Sequence, residues 1–433
     1  MASLGSTEPV VSPAPSRTAL PRSYLLWLAG TRASLVGDAA LYFALGWAAS
    51  AHGGQTAALV LTAITLPRTV LLLPGGAVGD RFGARRVMIA GDVAMLAAVL
   101  ALAVVARTWG TPPWMLLGFA AVVGTVDAFY LPATGAMPRC LVSGEQLPRA
   151  LALRQAGGQV ASLLGAPLGA VLVGMAGLSG TALVDAGSFA AVLAVMVWVR
   201  PAAEAKRPSR TKRPSRTKRP PRTKRPPRAE GLLAGIADGV KLAATDPVLR
   251  PALLLTAAAA AVLLPAVSLL GPLLARSEGW GPGSAGLVAA GQGVGTFLAA
   301  LPAARLGPMR RIGTGASLGL ALAAVGLAGL AAAPTPAAAV AAAGVVGAGS
   351  GMFACHIGPL VLAGAPDTHA SRVQSLLTLV QSLALVMANN LLGRLASAAG
   401  ARSAIALCAV LGCVAGVTGL ASAPLRDQRQ ARS

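Results

Sequence analysis

Charge is what this chain has least of. Only 12% of its 433 residues are Asp, Glu, Lys or Arg, about half the roughly 25% usual for soluble domains. That leaves too little polar surface to solvate a compact body of this size. Aromatic residues make up 4%, too few for a stacking cage. The four cysteines, Cys140, Cys355, Cys408 and Cys413, lie in or beside apolar runs, with neither metal-like spacing nor a disulfide framework. No nucleophile–base pair and no phosphate-binding loop is present, so an enzyme is the least expected reading and no cofactor or metal is implied. Acidic residues are scarce too, 14 against 36 basic ones, for a formal net charge of +22. Position, however, argues against nucleic acid as a partner. Lys206 to Arg228 alone carries twelve Lys and Arg in a repeat near KRPSRT or KRPPRT. This Pro-rich block has nothing to bury and reads as a solvated linker, with attraction to anionic lipid as an addition.

What the chain has in abundance is apolar length. It is 55% hydrophobic, in runs of about twenty residues, the length needed to cross a bilayer core roughly 30 Å thick. Its 52 glycines suit close helix approach where lipid offers no hydrophobic drive to association. We expect spans at 24–50, 56–75, 87–106, 114–138, 150–174 and 178–199, then at 250–275, 283–305, 312–332, 336–363, 373–396 and 402–423. The fold class is therefore an all-α integral membrane protein of twelve transmembrane helices in two six-helix halves. The first apolar run is too long for a signal peptide and reads as the first span.

Loop charges set the orientation. Apart from Arg107, Arg276, Arg394 and Arg402, the loop arginines and lysines fall on one side, which the positive-inside rule makes cytoplasmic. Both termini are then cytoplasmic, as an even span count requires. The expected units are a disordered N-terminus (1–22), a first half (23–200), the basic linker (201–230), an amphipathic surface helix (231–247), a second half (248–424) and a tail (425–433). Trp27, Trp47, Trp114, Trp198 and Trp280 fall near span ends and read as an interfacial belt.

Between spans two and three runs Gly76-Ala-Val-Gly-Asp80-Arg81-Phe-Gly83-Ala-Arg85-Arg86. It resembles the signature loop of the major facilitator superfamily, G-x-x-x-D-R-x-G-x-R-R, at every fixed position. The glycines permit a tight turn. The resemblance implies that Asp80 sits near the start of span eleven, around Ser371, where a helix dipole favours a carboxylate. It also implies that the loop latches the two halves together. A second, degenerate copy without the acid spans 303–311. Thr31 to Asp38 with Trp47, Phe129 to Pro138, and Val184 to Phe189 narrow the resemblance to the drug:proton antiporter branch, which includes macrolide and siderophore exporters. The chain departs from that branch at Gly165 to Ala170, where the proline is displaced, and in span four, where Asp127 stands without the branch's arginine. The resemblance implies the major facilitator fold, a small-molecule substrate, protons as coupling ion, a monomer in the cytoplasmic membrane, and a cavity lined by spans one, four, seven and ten.

Ionisable residues inside a bilayer cost at least about 2.5–3.5 kcal/mol each and are usually paired. Here they are Arg32, Asp38, Arg68, Asp92, Asp127 and Asp185, all in the first half. Those implied to line the cavity, Arg32, Asp38 and Asp127, are the proton-coupling candidates. Two readings stand: one aspartate exchanges the coupling proton while an arginine moves toward or away from it, or the three form a structural ion-pair cluster. Asp92 and Asp185 read as structural, with Arg68 as a partner for one of them. His356, Gln381 and Asn389 are candidate cavity residues, against the alternatives that His356 is simply a satisfied polar group and that the two amides bridge helices.

Overall fold

The computed structural model describes residues 19–142, 144–198, 246–307, 309, 311–363 and 370–426. The basic linker, most of the expected surface helix and nearly all of both chain ends lie outside the described residues. The described chain is helical. In chain order it forms α1 (Arg22–Ser50), α2 (Gly54–Phe82), α3 (Ala84–Thr108) and α4 (Pro113–Leu141). A continuous stretch, Leu147–Trp198, breaks at Gly177 into α5 (147–176) and α6 (178–198). The second half holds α7 (Leu249–Ser277), α8 (Pro282–Leu306), α9 (Ile312–Ala332), α10 (Pro336–Ala363), α11 (Ala370–Ala399) and α12 (Ala401–Ala421).

Ten stretches among the described residues are long and apolar enough to cross a membrane, one of them being α5 and α6 together. Helix α1 is long enough but less apolar, since Arg32 and Asp38 interrupt it. The chain is thus a multi-pass membrane protein whose helices match the expected twelve to within a few residues at most ends. Boundaries follow from local chemistry. Proline opens α4 and α8, where its missing N–H costs nothing. Gly83 closes α2 at φ 89° and Gly177 parts α5 from α6 at φ 65°, backbone conformations that a Cβ disfavours. Asp246 caps α7 by accepting from the amides of Val248 and Leu249 at 2.8 and 2.7 Å.

Helix α7 loosens into a π-helical turn at Ala266–Leu270, between Pro265 and Pro272, a feature that hydropathy does not signal. Pro272 has no N–H for the Ser268 carbonyl, so the ladder changes register there.

The two halves repeat one packing scheme. In the first half α1 packs on α5, α2 on α4 and α3 on α6; in the second α7 packs on α11, α8 on α10 and α9 on α12. Glycines make these seams close. A Cβ at Gly124 would strike the Ile64 carbonyl of α2, and one at Gly347 the Gln292 carbonyl of α8. Across the halves α2 meets α11, α5 meets α8 and α1 meets α7.

Candidate functional site

Between the halves lies a cavity of about 450 Å³. Its walls come from α1 (Ala39, Tyr42, Phe43), α2 (Ile64, Thr65, Arg68), α5 (Ala166), α7 (Leu264, Val267, Ser268), α8 (Gln292) and α11 (Leu385, Asn389). The cavity is mostly apolar, with a few convergent polar groups, the usual composition of a small-molecule site. Spans one and seven contribute to it as expected; its other described walls come from α2, α5, α8 and α11, and α4 reaches it through Asp127, which pairs with lining Arg68.

One charged group faces this space. Arg68 lines the cavity, and its Nη1 lies 3.8 Å from Asp127 Oδ2, with side chains 35% and 21% exposed. The Tyr42 hydroxyl donates to the same Asp127 oxygen at 3.1 Å. The sequence reading offered Arg68 to Asp92 or Asp185; the structure gives it to Asp127, since α2 and α4 are direct neighbours. Asp38 lies one turn from Tyr42, within electrostatic reach of Asp185, Asp127 and Asp92, and is not a cavity-lining residue. Asp185 is buried against Gly37 and accepts from the Ser188 hydroxyl at 2.9 Å. Asp92 is fully buried and faces the Tyr130 hydroxyl, without a well-aligned hydrogen bond to either carboxylate oxygen.

Arg32 joins neither Asp38 nor Asp127. It lies along Gly157 and Gly158 of α5 and donates from Nη1 to the Arg154 carbonyl at 3.4 Å. The anticipated cluster of Arg32 with the two aspartates is thus not formed. His356 is also displaced from its expected place. It is buried at the loop between α8 and α9, accepting from the Met309 amide at 3.0 Å on Nε2 and donating from Nδ1 to the Met352 carbonyl at 2.6 Å. Nε2 thus anchors the loop, while Nδ1 is tied to the carbonyl one turn back on its own helix. Of the neutral candidates, Asn389 lines the cavity and Gln381 does not; Gln292 of α8 lines it as well. Asn390 bridges helices instead, donating to Thr62 Oγ1 at 2.8 Å. Among the described residues, no three His, Cys, Asp or Glu are grouped to hold a metal.

The described contacts that join the halves close the bundle at one end. At the end far from Gly76–Arg86, Arg276 of α7 caps α1, donating to Ser50 Oγ at 3.0 Å and to the Trp47 carbonyl at 2.9 Å, with its guanidinium 4.3 Å from the Trp47 ring. There too a Cβ on Gly54 would come within 2.6 Å of the Gly393 carbonyl, and the Gln55 amide donates to Ser397 Oγ at 3.1 Å. At the signature-loop end Asp80 is exposed, and Gly76, Gly79 and Gly83 face open space. Arg85 donates from Nη2 to the Met196 carbonyl at 2.8 Å, capping the end of α6. Ser371, the expected neighbour of Asp80, has a side chain outside the described residues.

The model of the Major Facilitator Superfamily matches residues 28–389. The chain belongs to the major facilitator superfamily. Its curated relatives include the multidrug efflux pump Tap of Mycolicibacterium fortuitum, 27% identical over 245 residues. That match takes in 54% of this chain and 56% of Tap, so the chain spans about half the length of that relative. Similar solved structures include the nucleoside transporter NupG (TM-score 0.70, 11% identity, 93% of this chain and 99% of that one). A bacterial homologue of the human lysosomal transporter Spinster, inward-facing and unoccupied, gives TM-score 0.70 at 14% identity, over 96% of this chain and all of its own. A D-xylose–proton symporter gives 0.67 at 12%, over 94% and 100%. At such identities these structures speak for the major facilitator fold alone. Within that fold the tryptophans need correction as well. Trp114 and Trp198 are exposed, as a belt requires, but Trp27 is fully buried, 5.7 Å from the Tyr24 ring.

Proposed function

We propose that this transporter exports a hydrophobic or amphipathic small molecule in exchange for protons, by alternating access across the cytoplasmic membrane. The observation that carries the reading is the Arg68–Asp127–Tyr42 group in the cavity wall. It places a titratable carboxylate one side chain away from the cargo space. Cargo that engages Arg68 or Tyr42 competes with Asp127 for its partners. A carboxylate in low dielectric that loses its counter-charge takes up a proton, so cargo occupancy and protonation are linked through one pair. Asp38, a turn from Tyr42, is the second carboxylate of the relay. The contacts that join the halves at the far end support a cytoplasm-facing state, since the positive-inside rule puts the signature-loop end in the cytoplasm. Asp80 engages the start of α11 when that end closes. The apolar lining and the likeness to Tap support export of a drug-like or secreted cargo.

The test is cargo-induced proton movement in proteoliposomes, with a pH dye inside and a panel of hydrophobic antibiotics outside. A flux that Asp127→Asn abolishes, in protein that still binds the antibiotic, supports the reading. Proton-driven transport that survives in both Asp127→Asn and Asp38→Asn overturns it.

A further inference from the structure

Two arginines in the first half have no acid to answer them. Arg32 sits ten residues into α1 and Arg154 seven into α5, about 15 and 10 Å from the loop ends of their helices at 1.5 Å per residue. The Arg32 guanidinium reaches over a shelf that only glycine leaves open: a Cβ on Gly157 would meet Arg32 Cδ at 2.9 Å, and one on Gly158 would meet Nη1 at 3.2 Å. The one hydrogen bond it makes there is to the Arg154 carbonyl. The two guanidinium charges lie within electrostatic reach of each other, and Tyr24 and Tyr130 are the other groups that reach Arg32. The Tyr24 hydroxyl is committed, donating to the Ala150 carbonyl at 2.6 Å. The Nε atoms of both arginines are buried without a partner. Arg68 is paired with Asp127 and Arg402 with Glu278; among the described residues, no carboxylate pairs with Arg32 or Arg154.

Both arginines are half-buried, each with its Nε sealed from solvent and unpartnered. Burying unpaired charge is costly, and two guanidinium groups present a ready fork for a carboxylate, phosphate or sulfonate. The position gives the pair a purpose. Arg32, Ala39, Phe43 and Gly46 fall on one stripe of α1 at spacings of seven, four and three, and the last three line the cavity. On α5, Gln155 and Gln159 share the face of cavity-lining Ala166 in the same way, and both are exposed. Arg32 therefore stands two turns below the cavity, toward the signature-loop end, on the face of α1 that leads into it, and Arg154 sits beside it, one residue before the α5 stripe that Gln155 begins.

We infer that Arg32 and Arg154 form an anion-recognition site between α1 and α5, and that the cargo carries an acidic group captured there before its apolar part enters the cavity. This rests on the transport reading above and names its substrate class: an amphipathic organic anion. The acidic chemistry is shared with lipid headgroups, which the test separates.

The experiment uses the full chain in detergent, with no gradient, so it can fail or succeed independently of proton coupling. Fluorescence anisotropy compares dansyl-phenylalanine with its neutral amide. The carboxylate is expected to bind about tenfold more tightly, the worth of one charge-assisted hydrogen bond. Arg32→Gln and Arg154→Gln should each erase that preference and leave amide affinity unchanged, while Arg107→Gln, on an exposed helix end, keeps it. Equal binding of the two probes, or a preference that survives in both variants, overturns the site. If neither probe binds, thermal unfolding in sodium sulfate against sodium chloride decides. A rise in Tm for the wild type that the Arg32→Gln/Arg154→Gln protein lacks supports anion recognition, and an equal response overturns it. Stabilisation by phosphatidylglycerol micelles, with none by dansyl-phenylalanine or sulfate, makes the site a lipid site and overturns its assignment to cargo.

Discussion

At the scale of single residues, the side chains that mattered were those whose partners lie on another helix. His356 shows how the reading changes. As a lone histidine in an apolar run it was a natural cavity candidate, yet both its ring nitrogens are spent on backbone groups of Met309 and Met352. Replacing it removes a buried side chain and both of its hydrogen bonds to the backbone. His356→Leu is expected to lower stability by about 1–3 kcal/mol, read as thermal unfolding in detergent, while cargo affinity stays at the wild-type value. A loss of affinity without loss of stability would return His356 to the site. Asp246 gives a second residue-level expectation. It caps α7 through two amides, so Asp246→Ala should cost about 0.5–2 kcal/mol in the same assay. The aspartates of the first half could be found in the sequence, because a charge in an apolar run stands out. Their pairing could not, because Arg68 reaches Asp127 only once α2 lies on α4.

At the scale of elements, the closed end is built from two kinds of contact, each testable. Helices α2 and α11 approach until Gly54 and Gly393 nearly touch. Gly393→Val places a branched side chain against the Gly54 carbonyl and Ala58, and overpacking of this kind costs about 1–3 kcal/mol. Because the cost falls on one end only, the variant should favour the arrangement in which that end is open. Increased labelling of a cysteine introduced at Gln55 by a membrane-impermeant maleimide would report it, and unchanged labelling would count against this contact as the seal. Helices α7 and α12 are joined differently, through Arg402, which donates to Glu278 Oε1 at 2.7 Å and to the carbonyls of Ala331 and Ala333. The hydrogen bond from Arg402 holds the Glu278 carboxyl below its ordinary value of 4.5. A lowered value means the link is fully present above about pH 4.5 and is lost as pH falls through the folded-state value. Thermal unfolding of wild type and Glu278→Gln should therefore differ at neutral pH and converge in stronger acid. A constant difference across that range would show that the ion pair contributes nothing.

At the scale of the whole molecule, the named contacts that join the halves lie away from the signature loop, so opening the cavity to the other side requires them to part. Gln55 and Ser397 sit across that seam, with the Gln55 amide 3.1 Å from Ser397 Oγ. In protein whose cysteines at 140, 355, 408 and 413 are replaced, Gln55→Cys with Ser397→Cys should cross-link under mild oxidant. The cross-link should stop vesicle transport by at least about tenfold, and reductant should restore it. Transport that continues through the cross-linked protein would mean the far end need not open.

Membrane residence, the number of helices, the division into halves and the place of Gly76–Arg86 between α2 and α3 were determined by the sequence alone. These depend on length and local hydropathy: about twenty apolar residues at 1.5 Å each must cross the bilayer whatever lies beside them. Which side chains meet was decided by the tertiary structure. Successive residues turn about 100° around a helix axis, so a small rotation carries a side chain from a neighbouring helix to lipid. Arg68 finding Asp127, Arg32 lying beside Arg154, Trp27 turning inward and the π turn of α7 opening beside the cavity all depend on how twelve helices settle against one another. The glycine seams that fix those rotations act only once both helices of a pair are in place.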